Sequence, residues 1–430
     1  MGISGRAGTD VEACAPTPPS PCPSSLSASL RLCARHVPAL HSLSLILTLS
    51  LSLSLILSLS LATLACRDPA KRPAAKRPAE TATAPKPAVA PAPDAPRRPS
   101  SAAARYRTGK PEANAANVSD DIRRGLQSDP ESFVAPLVAH LVRGQPDDLG
   151  RIKAIHDWIA LNTRYGVDGY FGAAPRAGTT WADTLKSGRS VCEGYASVFE
   201  RLCAAADLKC VKVGGYGRGY GYRVFDEDER TASGNHAWTA AKAGDRWYLV
   251  DATWDSGHLD GRAFVPRYST DYLFLEPADF AYTHLPDDAR WQLLDPPLSV
   301  AEFRRMPFLR GRFFASGLSM MTPVDRVNDV DATERLELSV PPDLRILASL
   351  TDDAGRELPD RTLVQPAGAN TEVLVRFPSA GRYRLDLFLM NAGETRGEGV
   401  ATIGYRARRG TAERFPKTYG TFHDLQCRIE

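Results

Sequence analysis

The chain has 430 residues, 24% of them charged and 43% hydrophobic, enough for two or three folded domains. Its formal net charge of +3 is uneven: residues 1–110 carry 14 Lys/Arg against 5 Asp/Glu, and the remainder carries 39 against 45. The basic balance therefore belongs to the N-terminal region, and nothing in the rest supports a nucleic-acid-binding domain. The eight cysteines include no CxxC pair, which argues against a zinc ribbon or a thioredoxin-like site, and no HExxH occurs.

Residues 43–65 are apolar apart from Ser and Thr, and the run is long enough to span a bilayer. Arg31, Arg35 and His36 precede it, and Thr63-Leu64-Ala65-Cys66 closes it. The pattern resembles a bacterial lipoprotein signal, with Cys66 as the lipidated first mature residue. An uncleaved membrane anchor is the alternative reading of residues 1–66. Both make the membrane a partner and put the rest of the chain at the cell envelope, outside the cytoplasmic membrane or on its surface. Residues 67–110 then hold nine prolines and eleven Lys/Arg against three acids. That composition cannot bury a core, so 67–117 is expected to be a disordered, extended tether.

A folded domain is expected over 118–300. Ile152, Ile155, Trp158 and Ile159 recur at helical spacing, so Asp148–Tyr165 reads as an amphipathic helix. His156 and Asp157 are neighbours on it, about 100° apart around the axis and so not a natural dyad, and His156 is expected to be a surface or partly buried helix residue. Ser190 to Glu193 has the spacing of a capping box, followed by an apolar stripe of Tyr195, Val198, Phe199, Leu202, Cys203 and Ala206. Cys192 thus falls in the first turn of a buried helix, where open N–H groups and the positive helix end favour a thiolate. Cys203 and Cys210 are expected to be buried as small apolar residues, with a disulfide as the lesser alternative.

Lys209–Val213 reads as a strand, and the Gly/Tyr-rich stretch Gly214–Tyr222 as a mobile loop near the site. Asn235–Ala241 and Trp247–Thr253 read as two strands joined through Ala243-Gly244-Asp245-Arg246. If Ala243 faces Arg246, His236, Trp238, Asp251 and Thr253 share one face of the hairpin, with His236 diagonal to Asp251. A carboxylate there can hold the tautomer of an imidazole and stabilise its protonated form. A thiol, a base and an orienter are what a cysteine nucleophile requires.

The stretches SVCEGYASVFERLC, GNHAW and WYLVDATWD resemble the transglutaminase-like superfamily, and most closely its kyphoscoliosis peptidase and cytokinesis branch. That resemblance implies a papain-like α+β core, a Cys-bearing helix on an antiparallel sheet. It also implies Cys192 as nucleophile, His236 as general base and acid, and Asp251 as orienter. Trp181, in Thr179-Thr180-Trp181, falls where the branch often has an aromatic, to line an acyl pocket or pack in the core. Trp181 and Trp238 are candidate substrate contacts. The acidic loops of metal-dependent members are not found, so no metal or cofactor is expected.

Residues 325–408 alternate as short strands with turn signals such as Asp353-Ala354-Gly355, which suggests an immunoglobulin-like β-sandwich. Residues 409–430 read as the start of a further β unit that stops short. The chain is thus expected to be a cysteine peptidase acting on protein or peptide substrates through an acyl-thioester. Acyl transfer to an amine, or a non-enzymatic scaffold, are the alternatives. Oligomeric state is not legible.

Overall fold

The structure is a computed structural model that describes residues 101–172, 178–226, 234–391, 394 and 397–416. The apolar run 43–65, Cys66, the tether up to residue 100, most of the acidic turn at 226–229 and residues 417–430 lie outside the described residues. Among those described, no helix is long and apolar enough to cross a membrane.

The first half packs helices on one sheet. Helices α1 (Asp120–Ser128) and α2 (Pro130–Leu141) start at Ser119 and Asp129, whose side chains accept from Ile122 N–H and Ser132 N–H. Helix α3 (Asp148–Asn162) is capped by Asp147, whose side chain accepts from Gly150 N–H. Helix α4 spans Trp181–Ser187, and helix α5 spans Cys192–Ala205. The sheet is antiparallel, with β1 (Lys209–Gly217), β2 (His236–Ala243), β3 (Arg246–Val250), β4 (Leu273–Leu275) and β5 (His284–Pro286) in the order β4-β3-β2-β1-β5. Val198, Phe199 and Leu202 of α5 meet Ile152 and Ile155 of α3 and Ala241 and Val250 of the sheet in one core cluster. At about 25 cal/mol per Å² of apolar area removed from water, these side chains are the main force pressing the helices onto the sheet.

The folded region begins earlier than residue 118. Ala103, Tyr106 and Ala115 are buried in the same core. Tyr106 Oη donates to Asp147 Oδ1 at 2.6 Å, and Lys153 Nζ donates to the Lys110 carbonyl at 2.9 Å. Few apolar side chains are needed there because buried polar groups of α3 capture the backbone. The expected mobile loop is also corrected. Gly214–Gly217 belong to β1, and the next residue, Arg218, is fully buried and donates to the carbonyls of Tyr282, Met306 and Phe303 at 2.9, 3.0 and 2.5 Å. Cys203 and Cys210 form a disulfide, Cα–Cα 6.0 Å, because the end of α5 runs directly into the start of β1.

The second half is a two-sheet sandwich. Its strands are β6 (Phe308–Leu309), β7 (Ser319–Met320), β8 (Val327–Val330), β9 (Thr333–Ser339), β10 (Leu344–Asp352), β11 (Thr362–Ala367), β12 (Asn370–Arg376), β13 (Gly381–Asn391) and β14 (Glu398–Ala407). One sheet runs β6-β14-β13-β10 with β8 beside β14, the other β7-β9-β12-β11. Leu336, Val373, Val375, Leu385, Leu387 and Ile403 are among the side chains filling the space between them. The sandwich thus recruits residues 308–320, upstream of the expected start at 325. Residues 411–416 are not a new β unit: Phe415 is buried, its N–H donates to the Asp360 carbonyl at 2.9 Å, and Arg376 lies over its ring at 4.1 Å.

The halves meet through specific contacts. Gly311 N–H donates to Tyr272 Oη at 2.9 Å, Arg267 pairs with Glu398 at 2.5 Å, and Arg326 donates to the Val224 carbonyl at 2.6 Å.

Candidate active site

Helix α5 starts at Cys192 with Val191 as N-cap and no side-chain cap. The capping box expected from Ser190 and Glu193 is absent. Ser190 Oγ donates instead to the Gly178 carbonyl at 3.1 Å, and Glu193 pairs with Lys212. Ser190 and Thr184 press against Gly194, so closely that a Cβ at that position would collide with both hydroxyls. Packing of the preceding turn, rather than a cap, sets where the helix begins and leaves Cys192 at its first residue, half-buried and a free thiol.

The hairpin has the expected register, with Ala243 opposite Arg246 and Thr239 opposite Val250. His236 opens β2 and Asp251 follows β3. His236 Nε2 lies 2.7 Å from Asp251 Oδ2. Asn235 pins the start of β2 to β1, its Oδ1 accepting from Gly217 N–H at 2.7 Å and its Nδ2 donating to the Gly217 carbonyl at 3.1 Å. Gly217 must be small there, because a Cβ would sit 3.0 Å from His236 Cβ. Asp251 Oδ1 accepts from the N–H groups of Thr253 and Trp254 at 2.9 and 3.2 Å, which folds the chain after it into a tight turn.

With Nε2 spent on Asp251, His236 lies close enough to Cys192 for each group to shift the titration of the other. Burial pushes the Cys192 thiol up, but the hydrogen bond and charge of His236 and the backbone N–H of Ala237 outweigh it, and the net shift is downward. Burial likewise disfavours a charged His236, yet Asp251 and Cys192 raise its pKa to about 10. Asp251 is fully buried and is nonetheless held well below the usual carboxylate range by His236 and His284. The arrangement supports a thiolate–imidazolium pair backed by a carboxylate.

Four side chains that the sequence reading did not single out complete the site. Trp254 stacks on His236, with centroids 4.9 Å apart. Its signal was its place in the DATWD stretch, as that of Asn235 was its place beside His236. His284, from β5, puts Nε2 3.2 Å from Asp251 Oδ2, and Thr283 Oγ1 lies 2.9 Å from its Nδ1. No sequence pattern marked these last two. Among the described residues, His236, Asp251 and His284 form the cluster with metal-ligand chemistry, its donor atoms within 4.8 Å of one another. Both Nε2 atoms converge on a single carboxylate oxygen at hydrogen-bond distance, so the donor set is spent internally.

Trp181 and Trp238, the candidate substrate contacts, both pack against a core rather than lining a cleft. Trp238 is 2% exposed and packs beneath His236 among Phe280, Leu249 and Val213, because its strand turns it into the sheet's own core. Trp181 lies on the helical core under Arg201, whose guanidinium sits 5.0 Å from its ring. A cleft of about 290 Å³ runs instead along the junction of the two halves. Its lining includes His236, Trp254, Tyr220 and Phe264 from the first half and Phe308 and Glu398 from the second.

The expectation for His156 is overturned as well. It is fully buried, with Nδ1 2.8 Å from Asp157 Oδ1 and Nε2 3.0 Å from Asp255 Oδ2. Neighbouring residues on α3 can bond because the helix is buried on nearly every side and the short Asp side chain curls back to the ring. Lys153 also pairs with Asp157, and Tyr268 Oη donates to it at 2.6 Å. Burial disfavours the charged ring of His156, but the two carboxylates raise its pKa to about 9.

Comparison with known proteins agrees with this architecture. Residues 135–252 match the transglutaminase-like superfamily, and residues 300–400 match the KY-like, immunoglobulin-like domain. The chain is similar to kyphoscoliosis peptidase of Mus musculus, 35% identical over 197 residues, and of Homo sapiens, 34% identical over 200 residues; each match covers 45% of this chain and 29% of the relative. It is also similar to Hillarin of Drosophila melanogaster, 30% identical over 209 residues, covering 45% of this chain and 24% of that protein. The matches span less than a third of each relative. The chain carries a transglutaminase-like core followed by an immunoglobulin-like domain.

Proposed function

We propose that the protein is a cysteine-dependent amide-bond hydrolase acting on polypeptide segments that reach the site through the junction cleft. The observation that carries the proposal is the hydrogen bond of His236 to Asp251 beside Cys192, with the thiol shifted down and the imidazole up. Cys192 Sγ attacks the carbonyl carbon, and the oxyanion develops beside the open first turn of α5. Protonated His236 gives its proton to the leaving amine, and a thioester remains on Cys192. His236 then takes a proton from water, whose oxygen attacks the thioester, and a carboxylate leaves as the thiol reforms. Asp251 keeps the imidazole in the productive tautomer throughout. The kyphoscoliosis peptidases share the core domain, and their name accords with this chemistry.

The test is alkylation by iodoacetamide under reducing conditions with peptide mapping. The expected result is rapid labelling of Cys192, lost in Cys192→Ala and slowed in His236→Ala. Absence of labelling in the folded wild type would leave a scaffold as the better reading. Incorporation of an added primary amine into the released acyl product, in preference to water, would turn hydrolysis into transamidation. We extend the proposal to the cell envelope because residues 43–65 end at Cys66. Detergent-phase partitioning that survives in Cys66→Ala would overturn lipid attachment at that residue.

A further inference from the structure

We infer that His284 is a positioning residue for this chemistry, its Nε2–H holding Asp251 Oδ2 in line with His236, so that four side chains rather than three form the working unit. The inference rests on the reading of Cys192, His236 and Asp251 given above. His284 lies on β5, outside the 135–252 segment that matches the transglutaminase-like superfamily.

Its surroundings would suit a phenylalanine. The ring stacks on Phe280 with centroids 4.0 Å apart and touches Trp254 and Trp238 at 4.3 and 4.9 Å. A buried imidazole in such a box costs free energy unless both nitrogens are satisfied. Here both are, and the chemistry of the partners sets the tautomer. A carboxylate can only accept, so Nε2 carries the proton and Nδ1 accepts from the hydroxyl of Thr283. The titratable groups facing His284 are Asp251, His236 and Tyr272. Burial drives the pKa of His284 down to about 4, so it donates as a neutral group. A neutral donor steadies Asp251 without cancelling its charge, which stays available to the imidazolium of His236.

The carboxylate is thereby clamped on both oxygens. Oδ1 is held by two backbone N–H groups and Oδ2 by His284 and His236. Without His284, Oδ2 is held by His236 alone. The imidazolium is then less well backed, and the Cys192 thiolate less favoured.

The rate of Cys192 alkylation by iodoacetamide, measured from pH 4 to 10 on the full chain, tests this. His284→Phe should lower the rate at pH 7 about tenfold, the loss of one hydrogen bond to a charged group, and move the acid limb to higher pH. His284→Gln, whose amide can donate to Asp251, should recover most of the rate. Thr283→Val keeps the ring but unpins the tautomer and should shift the limb in the same direction by less; it also serves if His284→Phe does not fold. A depressed wild-type limb left in place by His284→Phe and Thr283→Val overturns the inference alone. Equal loss in His284→Phe and His284→Gln does the same. A wild-type limb at the position of an ordinary thiol overturns the underlying reading instead.

Discussion

Asp251 and Asp255 stand four residues apart on one loop, both fully buried, and each accepts from a histidine. The two clusters nevertheless have different chemistry. His156 spends both nitrogens on carboxylates, and Lys153 and His156 balance Asp157 and Asp255. Nothing in that cluster is left to react. Asp255 also accepts from Ser269 Oγ and the N–H groups of Asp271 and Tyr272, so it ties the loop to α3. His236 spends one nitrogen on Asp251, lies beside the Cys192 thiol, and borders a cleft. A buried histidine–carboxylate pair thus differs in character according to whether the histidine also lies beside a thiol.

The comparison breaks most sharply at the two aspartates. Asp251→Asn should cut thiol-dependent hydrolysis by about four orders of magnitude while the fold survives, because the wrong tautomer then faces Cys192. Asp255→Ala should do the reverse. Leaving His156 buried without its partner should cost about 3–5 kcal/mol in urea unfolding, with the alkylation rate per folded molecule little changed. Equal effects of the two changes on reactivity would erase the distinction between the clusters.

The pH dependence of stability sharpens it further. The folded pKa of His156 is raised from 6.5 to about 9, so its contribution is complete below pH 6.5 and is lost as pH rises through 9. The share of His156, read as the difference between the wild type and His156→Gln in urea unfolding at pH 6 and pH 10, should be on the order of 3 kcal/mol. His236 is raised to about 10 and adds a loss of the same sign over the wider window from pH 6.5 to 10. His156→Gln should reduce the slope between pH 6.5 and 9 and leave the part above pH 9 unchanged. Gly217→Ala, which crowds His236 and not His156, should slow Cys192 alkylation about three- to tenfold. The smallest effect is expected at Glu193→Ala. A working capping box would make Glu193 matter more, but the half-exposed pair with Lys212 should be worth less than about 1 kcal/mol by thermal unfolding.

Much of the site was legible because its information is local. Helical periodicity put Cys192 at the head of α5, and a period of two with a short turn put His236 and Asp251 on one face. The capping box misled because Ser190 found a nearer acceptor in Gly178, a choice that depends on a turn packed from elsewhere. His156 misled because helical spacing tells which way a side chain points and not what covers it. Trp238 misled because a shared face can be the buried one.

By itself the sequence determined the order of elements, the hairpin register and the residue types able to do thiol chemistry, since propensity, alternation and turn length act over a few residues. Only the tertiary structure decided which carboxylate would hold His236, that His284 would arrive from β5 to share it, and that the second domain would wall the cleft. Those outcomes depend on burial and on contacts between residues far apart in the chain. The sequence leaves such contacts open because each takes its free energy from desolvation that only packing creates.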